Sequence, residues 1–466
     1  MKTTITFWGG LDTIGGNIAE VKYGNDRIIF DFGLVYNPAS SMLDTTVKRK
    51  HTHVLDLLKL HAIPAIDGIY SEKDLSAAHS FAMEKPLAQE QTDYQTGVFI
   101  SHLHLDHMGA MDTIAPAIPV YMTEASRQLF RALEQIDEGL TLDRAYESLA
   151  YHEKITIGQI TVTPYQVDHD VIGATSFLIE TPDETILYSG DIRMHGAHQE
   201  YMDAWLDIMK EKEISMLLIE GTSFRPEESG LILTEKQADL HSVPEAGKPQ
   251  QKIPRLQSET DIEQVAVTLM KESHGLALFN VYHRNVERIQ QFLNAAKIVG
   301  RIAVLEPETA YLVNEFLSTG EFRIFLEEDE ALTPLQKNLL NQYEGITVEQ
   351  INERPEKYFL QNSFHHIYRL LDLNLKDSNY LHANGMPLGP YDPSYHTMHA
   401  ILTHFQVDYE SLDVSGHASK EDILYVIDQI KPRLVIPWHS KHPELVKPIN
   451  ENVEVLLPEK FRTYEL

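Results

Sequence analysis

One short stretch of the chain concentrates side chains that bind metals. An apolar, β-rich run ends at Ser101, and His102, His104, Asp106 and His107 follow at once. Where a chain leaves a strand in a tight turn, the spacing of His102 and His104 brings both imidazoles to one point, and Asp106 and His107 reach a second point nearby. Imidazole and carboxylate ligands suit zinc, manganese or iron. The stretch therefore predicts two adjacent metal sites rather than a polar turn.

Other acids and histidines stand where predicted strands end. His169 follows one strand and Asp191 ends another, so together they supply a third histidine for one metal and a carboxylate that can bridge both. Asp31 and Glu220 also end apolar strands, and a later strand delivers His439. Aspartate is common at strand ends as a turn former, so the role of Asp31 depends on the fold.

A second polar stretch precedes a predicted helix over Lys420–Ile430. Ser419 and Asp422 form a capping-box pattern, and the small residues Ser415 and Gly416 stand just before it. The free N–H groups and positive dipole end of such a helix attract phosphate. Ser415, Gly416 and Ser419 are therefore candidates for contact with a substrate phosphate. The alternative is that the serines only cap the helix.

Composition limits the class of protein. The chain has 466 residues and no cysteine, so it has no disulfides and its metal ligands must be His, Asp and Glu. No segment resembles a membrane span or an apolar signal, which predicts a cytoplasmic protein without a membrane partner. The net charge of −30 argues against nucleic-acid binding. This net charge does not exclude nucleic-acid binding, because bound metals add local positive charge.

The central region has a pattern of its own. From residue 260 onward, predicted helices and strands alternate: a strand over 276–280, a helix over 285–299 and a strand over 301–305. This alternation is typical of a small parallel sheet and indicates an inserted α/β unit.

These ordered motifs resemble the metallo-β-lactamase fold and, within it, the β-CASP nucleases that include ribonuclease J. Asp31 resembles the first motif of the fold, the His102–His107 stretch the second, His169 the third and Asp191 the fourth. The three β-CASP signatures are matched by Glu220, His417 and His439. The run from Asn285 to Gln290 also resembles a motif of the ribonuclease J insert.

The resemblance implies a role for each of these residues. His102, His104 and His169 would bind one divalent metal, Asp106, His107 and His439 the other, and Asp191 would bridge them. Zinc is the expected metal, with manganese as the alternative. Asp31 would orient a ligand histidine or the attacking water. Two such metals activate a hydroxide and clamp a phosphodiester, while His417, paired with Glu220, would act as general acid.

The implied architecture is α/β: a four-layer αβ/βα sandwich with an inserted α/β β-CASP domain that forms a cleft over the metals. Residues 1–222 and 381–466 would make the sandwich, and residues 223–380 the insert. The implied substrate is single-stranded RNA, including RNA with a 5′-monophosphate, and the implied assembly is a homodimer.

The sequence departs from the family at the start of the insert helix. Tyr282, His283 and Arg284 stand where ribonuclease J typically carries a small serine. Arg284 and Arg288 remain candidates for phosphate contact.

Two other functions compete with an RNA nuclease. A small-molecule ester, thioester or lactone hydrolase fits the acidic charge but not the insert, and a non-catalytic subunit would be expected to have lost metal ligands.

Overall fold

The computed structural model describes residues 1–35, 42, 49, 51–76, 85–140, 144–226, 256, 258–317, 321–327 and 331–466. Its strands are β1 Thr3–Phe7, β2 Ala19–Tyr23, β3 Asp26–Phe30, β4 Gln95–Phe99, β5 Val120–Thr123, β6 Glu147–Leu149, β7 Ile155–Ile157, β8 Ile160–Gln166, β9 Thr175–Glu180, β10 Thr185–Tyr188, β11 Met216–Glu220, β12 Ala277–Val281, β13 Ile302–Leu305, β14 Phe322–Phe325, β15 Gly345–Ile346, β16 Tyr358–Gln361, β17 Asn379–Ala383, β18 Asp408–Ser411, β19 Leu434–Trp438, β20 Glu454–Val455 and β21 Thr463–Glu465.

The α-helices of the same ranges are α1 His53–Lys59, α2 Glu72–Leu75, α3 Leu105–Met108, α4 Glu124–Gln135, α5 Gln199–Met209, α6 Ile262–Glu272, α7 Val286–Val299, α8 Pro307–Phe316, α9 Pro334–Leu339, α10 Val348–Glu353, α11 Pro393–His404 and α12 Lys420–Ile430. None of these described helices combines the length and the apolar character needed to cross a membrane.

Two seven-stranded sheets form the centre of the molecule. The first has the order β21-β1-β2-β3-β4-β5-β6 and the second the order β20-β19-β11-β10-β9-β8-β7. Aromatic side chains from both sheets fill the space between them: the ring centroids of Phe30 and Phe177 are 5.7 Å apart, and those of Tyr188 and Trp438 are 5.1 Å apart. These buried faces form one continuous apolar core.

Helices cover the outer face of each central sheet. Leu55 of α1 and Phe130 of α4 pack in the core outside the first sheet. Trp205 of α5 and Ile427 of α12 pack in the core outside the second sheet. Helix, sheet, sheet and helix therefore make four layers, which confirms the predicted αβ/βα sandwich. Helix α12 has the predicted bounds, and Ser419 and Asp422 form the predicted capping box.

The inserted unit is a third sheet with the order β15-β14-β13-β16-β12-β17-β18, and all its neighbouring strands are parallel. Helices α6 and α7 pack on one face, and α10 and α11 on the other. The parallel sheet confirms the predicted α/β character. Strand β18 pairs with β17, so this sheet continues to Ser411, beyond the predicted boundary at residue 380.

Strand directions bring one set of ends together. In the first sheet β3 and β4 are parallel. In the second sheet β10, β11 and β19 are parallel, and β8 runs with them because both β8 and β10 are antiparallel to β9. The residues that follow these strands are those singled out from the sequence.

Candidate metal centre

Side chains from both central sheets meet where these strands end. Asp31 follows β3, the His102–His107 stretch follows β4, His169 follows β8, Asp191 follows β10, Glu220 ends β11 and His439 follows β19. Asp31 and His439 have φ values of 57° and 51°. The chain therefore turns sharply at both positions, a conformation that aspartate and histidine adopt more readily than most residues.

Three histidines form a first cluster: His102, His104 and His169. Nδ1 of His104 lies 3.1 Å from Nε2 of His102 and 3.1 Å from Nε2 of His169. Four tetrahedral ligands on a zinc ion at about 2.0–2.1 Å are separated by roughly 3.3 Å, so the spacing fits one metal ion. The fold thus brings the imidazoles of His102 and His104 together with that of His169. That they bind a metal stays a prediction.

The second cluster is made by Asp106, His107 and His439. Asp106 Oδ2 lies 2.9 Å from His439 Nε2 and 3.8 Å from His107 Nε2. Both Asp106 and His107 stand on the single-turn helix α3, directly after the first two histidines. One helical turn is therefore enough to carry the chain from one cluster to the other.

Asp191 lies between the two clusters. Its Oδ2 atom is 3.7 Å from His102 Nε2 in the first cluster, and 3.1 Å from His107 Nε2 and 4.0 Å from His439 Nε2 in the second. The same oxygen is buried and has no hydrogen-bond partner among the described residues. A buried carboxylate oxygen without a partner is costly unless a cation binds it. The donor set and this oxygen fit divalent metal ions.

The protonation states favour metal binding in the first cluster. Burial lowers the pKa of His102, His104 and His169, in the case of His104 to about 4, so these imidazoles are neutral. Neutral imidazole is the form that binds a metal. Burial alone would raise the pKa of Asp191, but the imidazoles of His107 and His439 hold it well below its usual range, and this residue is ionised.

Further contacts hold the second cluster in place. Asp31 Oδ2 lies 2.8 Å from His107 Nδ1 and accepts a 2.6 Å hydrogen bond from the Tyr188 hydroxyl, while its Oδ1 accepts from the Ser101 amide at 2.7 Å. Nδ1 of His439 lies 2.7 Å from the Thr222 hydroxyl. Such contacts fix which ring nitrogen faces a metal. Asp31 therefore contacts the ring nitrogen of His107 that faces away from Asp106, and its role in orienting a metal ligand stays a prediction.

Glu220 and His417 form a pair beside the clusters. Nδ1 of His417 lies 2.9 Å from Oε2 of Glu220, whose Oε1 accepts a 2.8 Å hydrogen bond from the amide of Ile192. Burial would lower the pKa of His417, but the carboxylate of Glu220 raises it to about 10. The pair adjoins Asp191, whose Oδ2 is 3.7 Å from His417 Nδ1.

The predicted phosphate contacts near the α12 helix are already engaged within the protein. The Ser419 hydroxyl accepts from the Asp422 amide at 3.1 Å, which is the capping role. The Ser415 hydroxyl accepts from the His417 amide at 3.0 Å. A Cβ atom on Gly416 would lie 2.8 Å from the carboxyl carbon of Asp170, so Gly416 faces an acid. A phosphate role for these three residues stays a prediction.

The two arginines lie elsewhere than predicted. Arg288 is fully buried, and its guanidinium donates to Glu259, Ala383, Asn384 and Val414. Its N–H groups are occupied by protein oxygens, and a phosphate contact of Arg288 stays a prediction. Arg284 donates to Glu138 at 2.9 Å and to the Leu103 carbonyl at 2.9 Å. Arg284 thus ties the insert to the metal-binding turn.

Two residues at the clusters were not predicted. Nδ2 of Asn17 lies 2.9 Å from His107 Nε2. Oδ1 of Asp170 lies 3.4 Å from His104 Nε2 and 3.3 Å from His169 Nε2. Asn17 follows a glycine-rich turn, and nothing in the local sequence predicts that it lies at the metal clusters. Asp170 directly follows His169, a predicted ligand, and this adjacency could have indicated that it lies near the site.

Comparison with known proteins agrees with this geometry. Residues 64–249 match the beta-lactamase superfamily domain family, and residues 406–447 match the Zn-dependent metallo-hydrolase RNA specificity domain. The chain is similar to ribonuclease J of Helicobacter pylori strain ATCC 700392 / 26695, at 22% identity over 98% of this chain and 58% of that protein. It is also similar to ribonuclease J of Pyrococcus abyssi, at 22% identity over 93% of this chain and 88% of that protein.

A solved structure shows the same fold over the full length. The crystal structure of a protein of unknown function from Enterococcus faecalis V583 has a TM-score of 0.79 and 29% identity, and the match covers 100% of both chains. By contrast, the chain spans little more than half the length of the Helicobacter ribonuclease J.

The layered sandwich and the matched domains are those of the metallo-β-lactamase fold, and the convergent His and Asp clusters could hold divalent metal ions. Along almost its whole length, the chain is similar to proteins named ribonuclease J, at 22% identity.

Proposed function

We propose that this chain is a ribonuclease that hydrolyses RNA phosphodiester bonds with two divalent metal ions, zinc or manganese, one in each cluster. The observation that carries the proposal is the buried Asp191 Oδ2, which has no hydrogen-bond partner in the described ranges and lies within 4.0 Å of histidine nitrogens in both clusters. The match to an RNA specificity domain supports RNA as the substrate class. Cleavage is endonucleolytic, 5′-to-3′ exonucleolytic or both.

The two clusters would hold the ions with Asp191 as the shared ligand. Bound there, two divalent ions supply Lewis acidity to a phosphoryl oxygen and lower the pKa of water. The protein's part is to fix the ligands: Asp31 orients His107, and Thr222 orients His439. With the ligand nitrogens already converging, little reorganisation is needed when substrate binds.

His417 is the proposed general acid. Glu220 holds its Nδ1 at 2.9 Å, which leaves Nε2 to donate a proton to the leaving oxygen. The raised pKa keeps His417 protonated at neutral pH. Glu220 is buried, and its other oxygen accepts a hydrogen bond from the Ile192 amide. The Glu220–His417 pair is therefore held in one orientation.

The test uses the purified full chain with added Mn²⁺ or Zn²⁺ and end-labelled single-stranded RNA carrying a 5′-monophosphate. We expect metal-dependent release of mononucleotides or defined fragments. RNA with a 5′-triphosphate and DNA of the same sequence measure end preference and sugar selectivity. The label at one end shows the direction of cleavage.

Three variants make the result specific. Asp106→Ala should lose cleavage together with metal at the second cluster. His417→Ala should keep both metals and lose most of the turnover. His442→Ala is the matched control, because His442 is a partly exposed neighbour of His439 that pairs with Glu444. Normal cleavage by His417→Ala would refute the general-acid assignment.

The alternative is hydrolysis of a small ester, thioester or lactone on the same centre, which the net charge of −30 favours. Absence of RNA cleavage by protein that binds both metals, with turnover of such an ester, would replace the proposal with this one. We also propose a cytoplasmic homodimer that prefers 5′-monophosphorylated RNA. Light scattering of the full chain and the comparison of RNA ends test the assembly and the preference.

A further inference from the structure

The histidines of the first cluster each turn one ring nitrogen away from it. Nδ1 of His169 lies 2.5 Å from the Gly416 carbonyl oxygen, and Nδ1 of His102 lies 3.0 Å from the Ser101 hydroxyl. A carbonyl can only accept, so His169 carries its proton on Nδ1 and presents an unprotonated Nε2 to the cluster. Metal-ligating histidines almost always have such a partner for the second nitrogen.

For His104 the roles of the nitrogens are reversed. Its Nδ1 lies 3.1 Å from the Nε2 atoms of His102 and His169, so Nε2 is the nitrogen that carries the proton. That Nε2 faces Oδ1 of Asp170 at 3.4 Å. Oδ1 of Asp170 is buried and has no hydrogen-bond partner in the part of the chain that the structure describes.

We infer that Asp170 is a positioning residue for the first metal site: with a metal bound, its carboxylate would be the acceptor for the Nε2–H of His104 and would keep Nδ1 directed at the metal. The inference assigns a role to a residue outside the ligand set, and it rests on metal binding rather than on RNA cleavage. A carboxylate partner makes the imidazole a stronger donor and fixes its tautomer.

The packing around Asp170 supports this assignment. Gly416 leaves the space for the carboxylate, since a Cβ there would lie 2.8 Å from both the carboxyl carbon and Oδ1. The ring of Tyr282, from the insert, packs 5.5 Å from the ring of His104. The imidazole of His104 thus lies between the ring of Tyr282 and the carboxylate of Asp170. Of these two groups, the carboxylate is the one that can accept a hydrogen bond from Nε2.

The experiment measures metal affinity in the full chain, so it does not depend on any substrate. Zn²⁺ is titrated against a competing chelator in an Asp106→Ala background, which weakens the second cluster and isolates the first. Asp170→Asn should weaken zinc binding about 10- to 100-fold. Glu287→Gln is the control, because it removes a partly exposed carboxylate that pairs with His198 rather than with His104.

A double-mutant cycle separates action through His104 from direct ligation. In a His104→Ala background, Asp170→Asn should have no further effect on zinc affinity. Gly416→Ala should reproduce part of the loss by displacing the carboxylate. Equal losses in the presence and absence of His104, or unchanged affinity in Asp170→Asn, would overturn the inference. Either result would leave the proposed ribonuclease activity standing, whereas a wild-type chain that binds neither zinc nor manganese would overturn both.

Discussion

A chain of buried charges joins the insert to the metal-bearing sandwich. Arg193 donates to Asp168 at 3.0 Å and to Glu259 at 2.9 Å, and Arg288 donates to both oxygens of Glu259 at 2.8 and 2.6 Å. Arg193, Glu259 and Arg288 are each 0% exposed. Glu259 stands before the first helix of the insert, Arg288 lies in α7, and Asp168 precedes the ligand His169.

Glu259→Gln should destabilise the protein by about 3–5 kcal/mol. The change preserves the shape of the side chain but removes the charge that two buried guanidiniums share. Each charge-assisted hydrogen bond contributes about 1.5–3 kcal/mol, and removing one partner of a buried ion pair costs about 3–5 kcal/mol. The three contacts do not simply add, because the amide oxygen of glutamine still accepts from one arginine.

The assay is equilibrium unfolding in urea of metal-free protein, so that metal binding does not mask the change. Glu263→Gln is the matched control: its carboxylate is on the same segment but exposed, where it accepts from Asn294. Arg288→Met is then made alone and in the Glu259→Gln background. The reasoning is refuted if Glu259→Gln is no more destabilising than Glu263→Gln, or if Arg288→Met costs the same in both backgrounds.

Three further outcomes follow from single contacts. Asp31→Asn should weaken metal binding at the second cluster about 10- to 100-fold, because an amide holds the His107 Nδ1–H less strongly than a carboxylate does; isothermal titration of the variant measures this. Gly33→Ala should abolish metal binding, since its Cβ would lie 1.6 Å from the backbone oxygen of Asp106, and a variant with normal metal content would contradict this. Burial and two neighbouring carboxylates raise the pKa of Glu410 to about 7, so its ionised form is disfavoured in the fold and stability falls as the pH rises from 4.5 through 7. Glu410→Gln should therefore stabilise the protein by about 1 kcal/mol at pH 8, after a discount for its half-exposed position, and should not stabilise it at pH 4. Thermal unfolding of the variant and the wild type at both pH values measures this. A difference between their midpoints that is the same at pH 4 and pH 8 would argue against it.

Local pattern was sufficient for the parts of the molecule that local rules determine. Apolar runs bounded by turn residues predicted the strands that carry Asp31, Asp191 and His439. Helix α12 was bounded correctly because a capping box begins it and Lys431 and a proline end it. The candidate ligands could be recognised because they follow the ends of strands within a few residues, where the sequence changes from apolar to polar.

Tertiary contacts were beyond local pattern. Arg288 was expected to meet phosphate because arginine suits that ligand. Whether it faces solvent or Glu259 depends on the packing of α7 against the segment before α6, which residue spacing does not show. Asp170 was not singled out from the sequence, because its contact with His104 depends on the fold. The predicted boundary at residue 380 lies within β17, and the glycine- and proline-rich loop that follows precedes another strand of the same sheet, which a change in composition does not show.

The insert is coupled to the metal-binding turn itself and is more than a cover over the cleft. Arg284 donates to the carbonyl of Leu103, the residue between the first two ligand histidines, and its charge is held by Glu138 of the sandwich. Because Arg284 belongs to the insert, its hydrogen bond joins that domain to the turn that separates His102 from His104. Small displacements of a ligand cost metal affinity and rate, since the ligand geometry must be kept within a fraction of an ångström. The insert therefore contributes a contact to the turn on which the geometry of the first cluster depends.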